Sequence, residues 1–306
     1  GLRFEFFEQE RIDRLAGATY LDKTTYVILP GIGFINNFYG MSLFGGIHRG
    51  FTPPSSGALK ILNFGENSND GGLDLKAEKS WNKELGLRGD LSLIKYEISG
   101  FHVGIENLVA AGRGTAFKNL GKVQTYGLEL QTSLMFSKVK TAIGGMSFLL
   151  PDLNISYTFL QTEVLNGNIL SNVSGTVGSE VSISGKELPY APENTLIVGL
   201  EKSLFRNINI KVDFKYISDS FTDFENIEKF DNKGIQGPIP PHHVINLSSD
   251  YQFGDFRLFF SAKNLMDEKY IGSRLHSNPG QPEAGLSSGI MPGPRRQINL
   301  GVDYVF

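Results

Sequence analysis

The chain has 306 residues, 40% of them hydrophobic and 20% charged, with a formal net charge of −3 and no cysteine. This charge balance argues against a nucleic-acid surface, while the lack of cysteine decides little about compartment. No stretch approaches the ~18 uninterrupted apolar residues of a spanning helix, but a membrane strand needs only ~9–11 alternating residues and leaves no such trace.

In chain order, the sequence opens on Gly1-Leu2-Arg3-Phe4-Glu5, which reads as a strand and not as a signal peptide. About twelve strands are expected, at roughly 1–11, 27–36, 38–51, 78–90, 92–106, 121–136, 151–164, 188–203, 206–221, 241–253, 255–267 and 295–306. Their signal is a period of two. Leu85 and Leu87 alternate with Glu84, Gly86 and Arg88; Leu128 and Leu130 alternate with Glu129 and Gln131. The clearest case runs from Ile208 to Tyr216, where Ile210, Val212 and Phe214 oppose Asn209, Lys211, Asp213 and Lys215. At 100° per residue a helix would scatter those charges around its axis. The last strand sets Ile298, Leu300, Val302, Tyr304 and Phe306 against Gln297, Asn299, Gly301 and Asp303. One strand changes phase: Ile94, Tyr96 and Ile98 give way to Phe101, Val103 and Ile105. A β-bulge at Ser99-Gly100 is expected there, the alternative being that both faces are locally buried.

An alternating strand with one apolar face suits a sandwich or a barrel equally well. Connection lengths separate them. Short breaks, at Asn36-Asn37, near Asp90-Leu91, at Leu204-Phe205 and at Gly254-Asp255, alternate with long ones at 12–26, 52–77, 107–120, 165–187, 222–240 and 268–294. That asymmetry is the one found in outer-membrane barrels. Residues 137–150 fall on the short side, where an enlarged turn is expected. The fold class is therefore all-β, an antiparallel transmembrane β-barrel.

Phrases along the chain give this reading a family. Gly1-Leu2-Arg3, Phe44-Gly-Gly-Ile-His-Arg-Gly-Phe-Thr-Pro-Pro54, Glu78-Lys-Ser-Trp-Asn-Lys-Glu-Leu-Gly-Leu-Arg88, Tyr126-Gly-Leu-Glu-Leu130, Leu188-Pro-Tyr-Ala-Pro192, Lys263-Asn-Leu-Met-Asp-Glu-Lys-Tyr270 and Pro294-Arg-Arg-Gln-Ile-Asn-Leu-Gly-Val-Asp-Tyr-Val-Phe306 stand in order. Together they resemble the barrel of TonB-dependent outer-membrane receptors, most of all the ferric-dicitrate branch. The resemblance implies that residues 1–306 are a C-terminal portion, about 12 strands, of a barrel of ~22. The plug domain and the TonB-binding box would precede Gly1. It implies active import of a ferric chelate across the outer membrane, energised by TonB through that N-terminal part. No catalysis is involved, and iron enters only as chelated substrate, with no cofactor. The C-terminus would be periplasmic and the long loops extracellular. Tyr304 and Phe306 would form the signal read by the barrel assembly machinery, and outer-membrane lipid and lipopolysaccharide would surround the wall. Other readings are a passive porin, or a haem or cobalamin receptor.

Candidate substrate-binding residues are Arg49, Arg113, Arg274 and Arg295, because the guanidinium fork suits the carboxylates of a ferric citrate anion. His276 is the loop histidine a haem receptor would use. The plainer alternative for each arginine is a solvated loop or contact with anionic lipopolysaccharide. His242 and His243 are neighbours on a strand and face opposite ways, so they cannot share a metal. Tyr20, Tyr26, Tyr190, Tyr216, Tyr251 and Tyr270 are expected in interfacial girdles.

Overall fold

The computed structural model describes residues 1–13, 18–54, 75–110, 118–138, 150–171, 179–204, 207–275 and 288–304, with 11, 13, 18–23 and 118 described by backbone alone. One antiparallel sheet of twelve strands dominates it. The strands are β1 (Leu2–Asp13), β2 (Ala18–Phe38), β3 (Met41–Thr52), β4 (Glu78–Leu91), β5 (Ile94–Glu106) and β6 (Lys122–Leu134). They continue as β7 (Asp152–Asn166), β8 (Asn194–Leu204), β9 (Ile208–Ile217), β10 (His242–Phe253), β11 (Phe256–Lys263) and β12 (Gln297–Tyr304). Each pairs with its sequence neighbour, so the sheet is an up-and-down meander with β1 and β12 at its edges.

Register fixes what each face carries. Leu87, Ile98, Leu130, Tyr157, Leu196 and Tyr216 lie in one cross-strand row, and Arg88, Glu97, Gln131 and Ser156 lie in the adjacent row on the opposite face. The apolar face is the uncovered one: Phe4 is 70% exposed, Ile32 74% and Leu300 78%. A second sheet would bury such residues at ~1.5–3 kcal/mol each, yet no other sheet among the described residues exceeds two strands. A face this large and this apolar needs a non-aqueous partner. The polar face instead satisfies itself, along a strand with Lys211–Asp213 at 3.3 Å and across strands with Lys95–Asp90 at 3.0 Å, Asn209 donating to Asp250 at 3.0 Å and Ser133 to Asn154 at 2.6 Å.

The short connections lie at one end. The first turn is Tyr39-Gly40, both left-handed at φ 47° and 78°, which matches the twist of a tight hairpin. The expected break at Asn36-Asn37 is corrected: both residues stay paired, to Leu43 and Ser42, and Ser42 Oγ donates to Asn37 Oδ1 at 2.6 Å. The wider link after β6 begins with a single 3-10 turn at Phe136–Lys138, held by Ser137 donating to Asp152 from its N–H and hydroxyl at 2.7 Å each.

At the other end the long connections begin, and two expectations change. β2 starts at Ala18, so most of the span 12–26 is a paired hairpin extension with a bulge at Arg11/Ile12. The expected bulge at Ser99-Gly100 is absent: β5 keeps one unbroken register with both β4 and β6. Its phase changes because its surroundings do. Beyond Gly100, Ile105 points to the polar-face side and packs on a small core of Leu120, Val123, Val164, Ile169 and Ile183, formed where the loop hairpins fold over the strand ends. On the opposite face the apolar residues give way to His102, Gln124, Tyr126, Gln161 and Glu163. Val123 and Val164 invert in step with β5, which marks the level at which the apolar band ends.

Candidate ligand-binding face

The long-loop end of the polar face holds the candidate site. β9 carries Lys215 there, and β10 begins with His242 directly after Pro240-Pro241, whose lack of N–H donors stops the ladder. The turn after β11 supplies Tyr270, and the approach to β8 supplies Tyr190 in a left-handed conformation at φ 57°. These four side chains, with Ser220 and Ile239, line a hollow of about 350 Å³. His242 and Tyr270 stack at 4.4 Å, 11° from parallel. Ile217 and Val244 give the hollow an apolar floor, and Lys215 contributes one ammonium. An aromatic wall beside a single cation can hold a flat anionic ligand by stacking and charge. Among the described residues no cluster of three or more His, Asp or Glu is arranged to hold a metal ion.

The surrounding rim is built by side chain–backbone hydrogen bonds. In the connection after β9, Thr222 donates to the Gly237 carbonyl at 2.9 Å, and Asp223 accepts from the Glu225 N–H at 3.0 Å. Asn226 bridges to Glu187, accepting from its N–H at 2.7 Å and donating to its carbonyl at 3.0 Å. Burial, reinforced by Glu193 and Asp219, pushes the Glu187 carboxyl above its ordinary range.

The candidate residues separate rather than converge. Arg274 is 3% exposed, in the short strand Ile271–Leu275 paired with Gly289–Pro292. Its guanidinium donates to the carbonyls of Gly234 and, at 3.1 Å, Pro238, and lies 5.3 Å from the Phe230 ring centre. Its own carbonyl accepts from the Tyr190 hydroxyl at 3.1 Å. Burial lowers its pKa, with Asp231 and Tyr190 opposing the shift. Both terminal nitrogens of the fork are thus spent on the rim's own backbone, while Nε is buried without a hydrogen-bond partner among the described residues. Arg295 is spent likewise, forming a bidentate pair with Asp267, whose Oδ1 also accepts from the Arg296 N–H at 3.0 Å. The side chain of Asn264 donates to the carbonyls of Glu268 and Pro294, both at 2.9 Å. The Asn264-Leu-Met-Asp267 phrase is therefore a clasp tying the end of β11 to the start of β12.

Arg49 stands on the apolar face, in phase with Leu43 and Ile47, its guanidinium 5.7 Å from the Trp81 ring centre. Arg113, His276 and Phe306 lie outside the described residues. Tyr304 pairs with Phe256, their rings 4.8 Å apart at the short-turn end of the apolar face. Among the expected girdle residues, Tyr26, Tyr216 and Tyr251 sit on the apolar face, whereas Tyr190 and Tyr270 line the hollow; the side chain of Tyr20 lies outside the described residues. His242 and His243 do part, the first to Tyr270 and the second to Phe214. Lys215 and His242 were legible as strand residues of the polar face, but nothing in the alternation says which polar-face residues border a hollow.

A family model described as TonB dependent receptor-like, beta-barrel, matches residues 1–265. Among solved structures, the ferric citrate transporter FecA superposes with a TM-score of 0.74 at 19% identity, over 98% of this chain and 41% of that one. The siderophore receptor PiuA from Acinetobacter baumannii gives 0.70 at 16%, over 99% and 40%, and the ferric-catecholate import receptor Fiu from E. coli K12 gives 0.65 at 16%, over 94% and 37%. At these identities the likeness is one of fold, and the chain spans about two fifths of the receptors it matches. Among curated proteins nothing matches.

Proposed function

The chain belongs to the TonB-dependent receptor β-barrel family, and from that premise we propose that it supplies the C-terminal wall of an outer-membrane receptor that imports a ferric chelate, ferric citrate or a related siderophore. The observation that carries this reading is the inverted amphipathic sheet: an exposed apolar face and a self-satisfied polar face. In such a receptor the apolar face meets lipid and the polar face lines the lumen. The long connections then stand outside the cell and the C-terminal strand descends to the periplasm. TonB acts through the plug, the remaining strands complete the wall, and iron passes as a chelated substrate with no bond made or broken.

The hollow between Tyr190, Lys215, His242 and Tyr270 is the wall's contribution to binding. An anionic chelate docks against the stacked His242–Tyr270 pair, with Lys215 balancing its charge. Arg49, Arg274 and Arg295 are engaged elsewhere and support the wall and rim; Arg113 and His276 stay open as loop contacts. The test is uptake of radiolabelled ferric citrate by cells carrying the full receptor. Uptake should vanish when the gene is deleted or the proton gradient is collapsed. It should fall about tenfold for Lys215→Ala with Tyr270→Ala, the cost of one charged contact and one ring. Uptake that survives collapse of the gradient would make the barrel a passive pore.

A further inference from the structure

We propose that Arg274 is a positioning residue for the ligand hollow, setting affinity through Tyr190 and Ile239 without touching the ligand; this rests on the reading that the hollow binds the imported chelate. Three connections build the hollow's walls: Tyr190 and Pro192 come before β8, Ser220 and Ile239 after β9, and Tyr270 and Gly272 after β11. Arg274 bonds to the first two from within the third. It stands two residues beyond Gly272 in the short strand Ile271–Leu275. Its guanidinium holds the carbonyls of Gly234 and Pro238, and Pro238 directly precedes Ile239. Its own carbonyl takes the Tyr190 hydroxyl at 3.1 Å.

Both walls need that anchor. Tyr190 sits at φ 57°, a region that a residue with a Cβ occupies at a cost and keeps only where its surroundings hold it. Two bonds hold it: its N–H donates to the Phe221 carbonyl at 2.8 Å, and its hydroxyl to Arg274. Ile239 exchanges backbone bonds with Ser220 at 2.8 and 3.1 Å, but this is an isolated bridge with no ladder on either side. The Pro238 carbonyl beside it supplies the second anchor. Arg274 itself is 3% exposed and stands outside the lining, so it offers the ligand no contact, and the lining ammonium is that of Lys215. A fixed wall binds more tightly than a mobile one because less ordering remains to be done on binding.

The test measures binding of radiolabelled ferric citrate to the full-length receptor in detergent, over a range of salt concentrations. Arg274→Ala should weaken binding about tenfold and Tyr190→Phe about fivefold. The two act as one unit, so adding Tyr190→Phe to Arg274→Ala should cost less than about twofold more. Arg274→Lys, whose ammonium lacks the planar fork, should fall between wild type and Arg274→Ala. Lys215→Ala should flatten the decline of affinity with salt, because it removes a charged contact, whereas Arg274→Ala should keep the wild-type slope. Each variant must migrate as a folded barrel before heating; if Arg274→Ala does not, Tyr190→Phe and Arg274→Lys carry the test. Wild-type affinity in these variants, with binding weakened in Lys215→Ala with Tyr270→Ala, would overturn the positioning role alone. Additive losses, or a flattened salt slope in Arg274→Ala, would overturn it too. Wild-type affinity in Lys215→Ala with Tyr270→Ala would remove the hollow as the binding site, and this role with it.

Discussion

Arg274 illustrates why the chemistry of a side chain does not reveal its role. A guanidinium in a loop suits a carboxylate ligand, but here two backbone carbonyls and the Phe230 ring consume it. Replacing it with Ala should leave those carbonyls unpaired and loosen the rim by about 2–3 kcal/mol. Faster hydrogen exchange at Gly234–Ile239, with the exchange of β9 unchanged, is the expected result. Asp267 makes a prediction in pH. Arg295 and the Arg296 N–H hold its carboxyl well below the usual carboxylate range. A depressed pKa means that the clasp contributes fully above the unfolded value of ~4 and is lost only as pH falls through the lower folded value. Exchange protection of Asn264 to Glu268 should therefore persist at pH 4 and fall in stronger acid. Asp267→Asn should weaken it at neutral pH and flatten that dependence.

At the scale of the strand, alternation found the twelve strands of the main sheet, though β2 is longer and β8 and β9 shorter than expected, but could not say why a phase changes. The switch in β5 reads equally as an inserted residue or as a change of surroundings, because a period of two carries parity and not depth. Register decides it: the strand is regular, and its apolar side moves from the outer face to the loop core beyond Gly100. Arg49 was legible by parity: its type fits a ligand, but its phase with Ile47 sets it on the apolar face. Depth can be measured. Arg at Leu130, within the band, should destabilise the barrel by about 2–4 kcal/mol, while Arg at Gln124, three same-face positions nearer the loops, should cost about 0–1. The comparison reads out as heat-induced loss of the folded gel form. A second element-scale prediction concerns Gly86. Its Cβ would stand 2.3 Å from the Phe44 ring, so Gly86→Val should cost about 1–3 kcal/mol by displacing the ring, and Phe44→Ala should restore part of it.

At the scale of the molecule, ordered family phrases and the alternation of short and long connections made the fold legible before any coordinates. The ligand hollow was not legible, since it forms from four segments far apart in sequence, joined by loop geometry that no period encodes. The account depends on one claim: the apolar face meets lipid and the polar face meets water. These 306 residues contain no cysteine, so single cysteines placed among them report on it directly once any cysteine elsewhere in the receptor is replaced. Single cysteines along β9, in the full receptor within intact outer membranes, should react with a hydrophilic maleimide at Lys211, Asp213 and Lys215 and resist it at Ile210, Val212 and Phe214. Uniform reactivity along the strand, or protection at the charged positions with labelling at the apolar ones, would contradict the account.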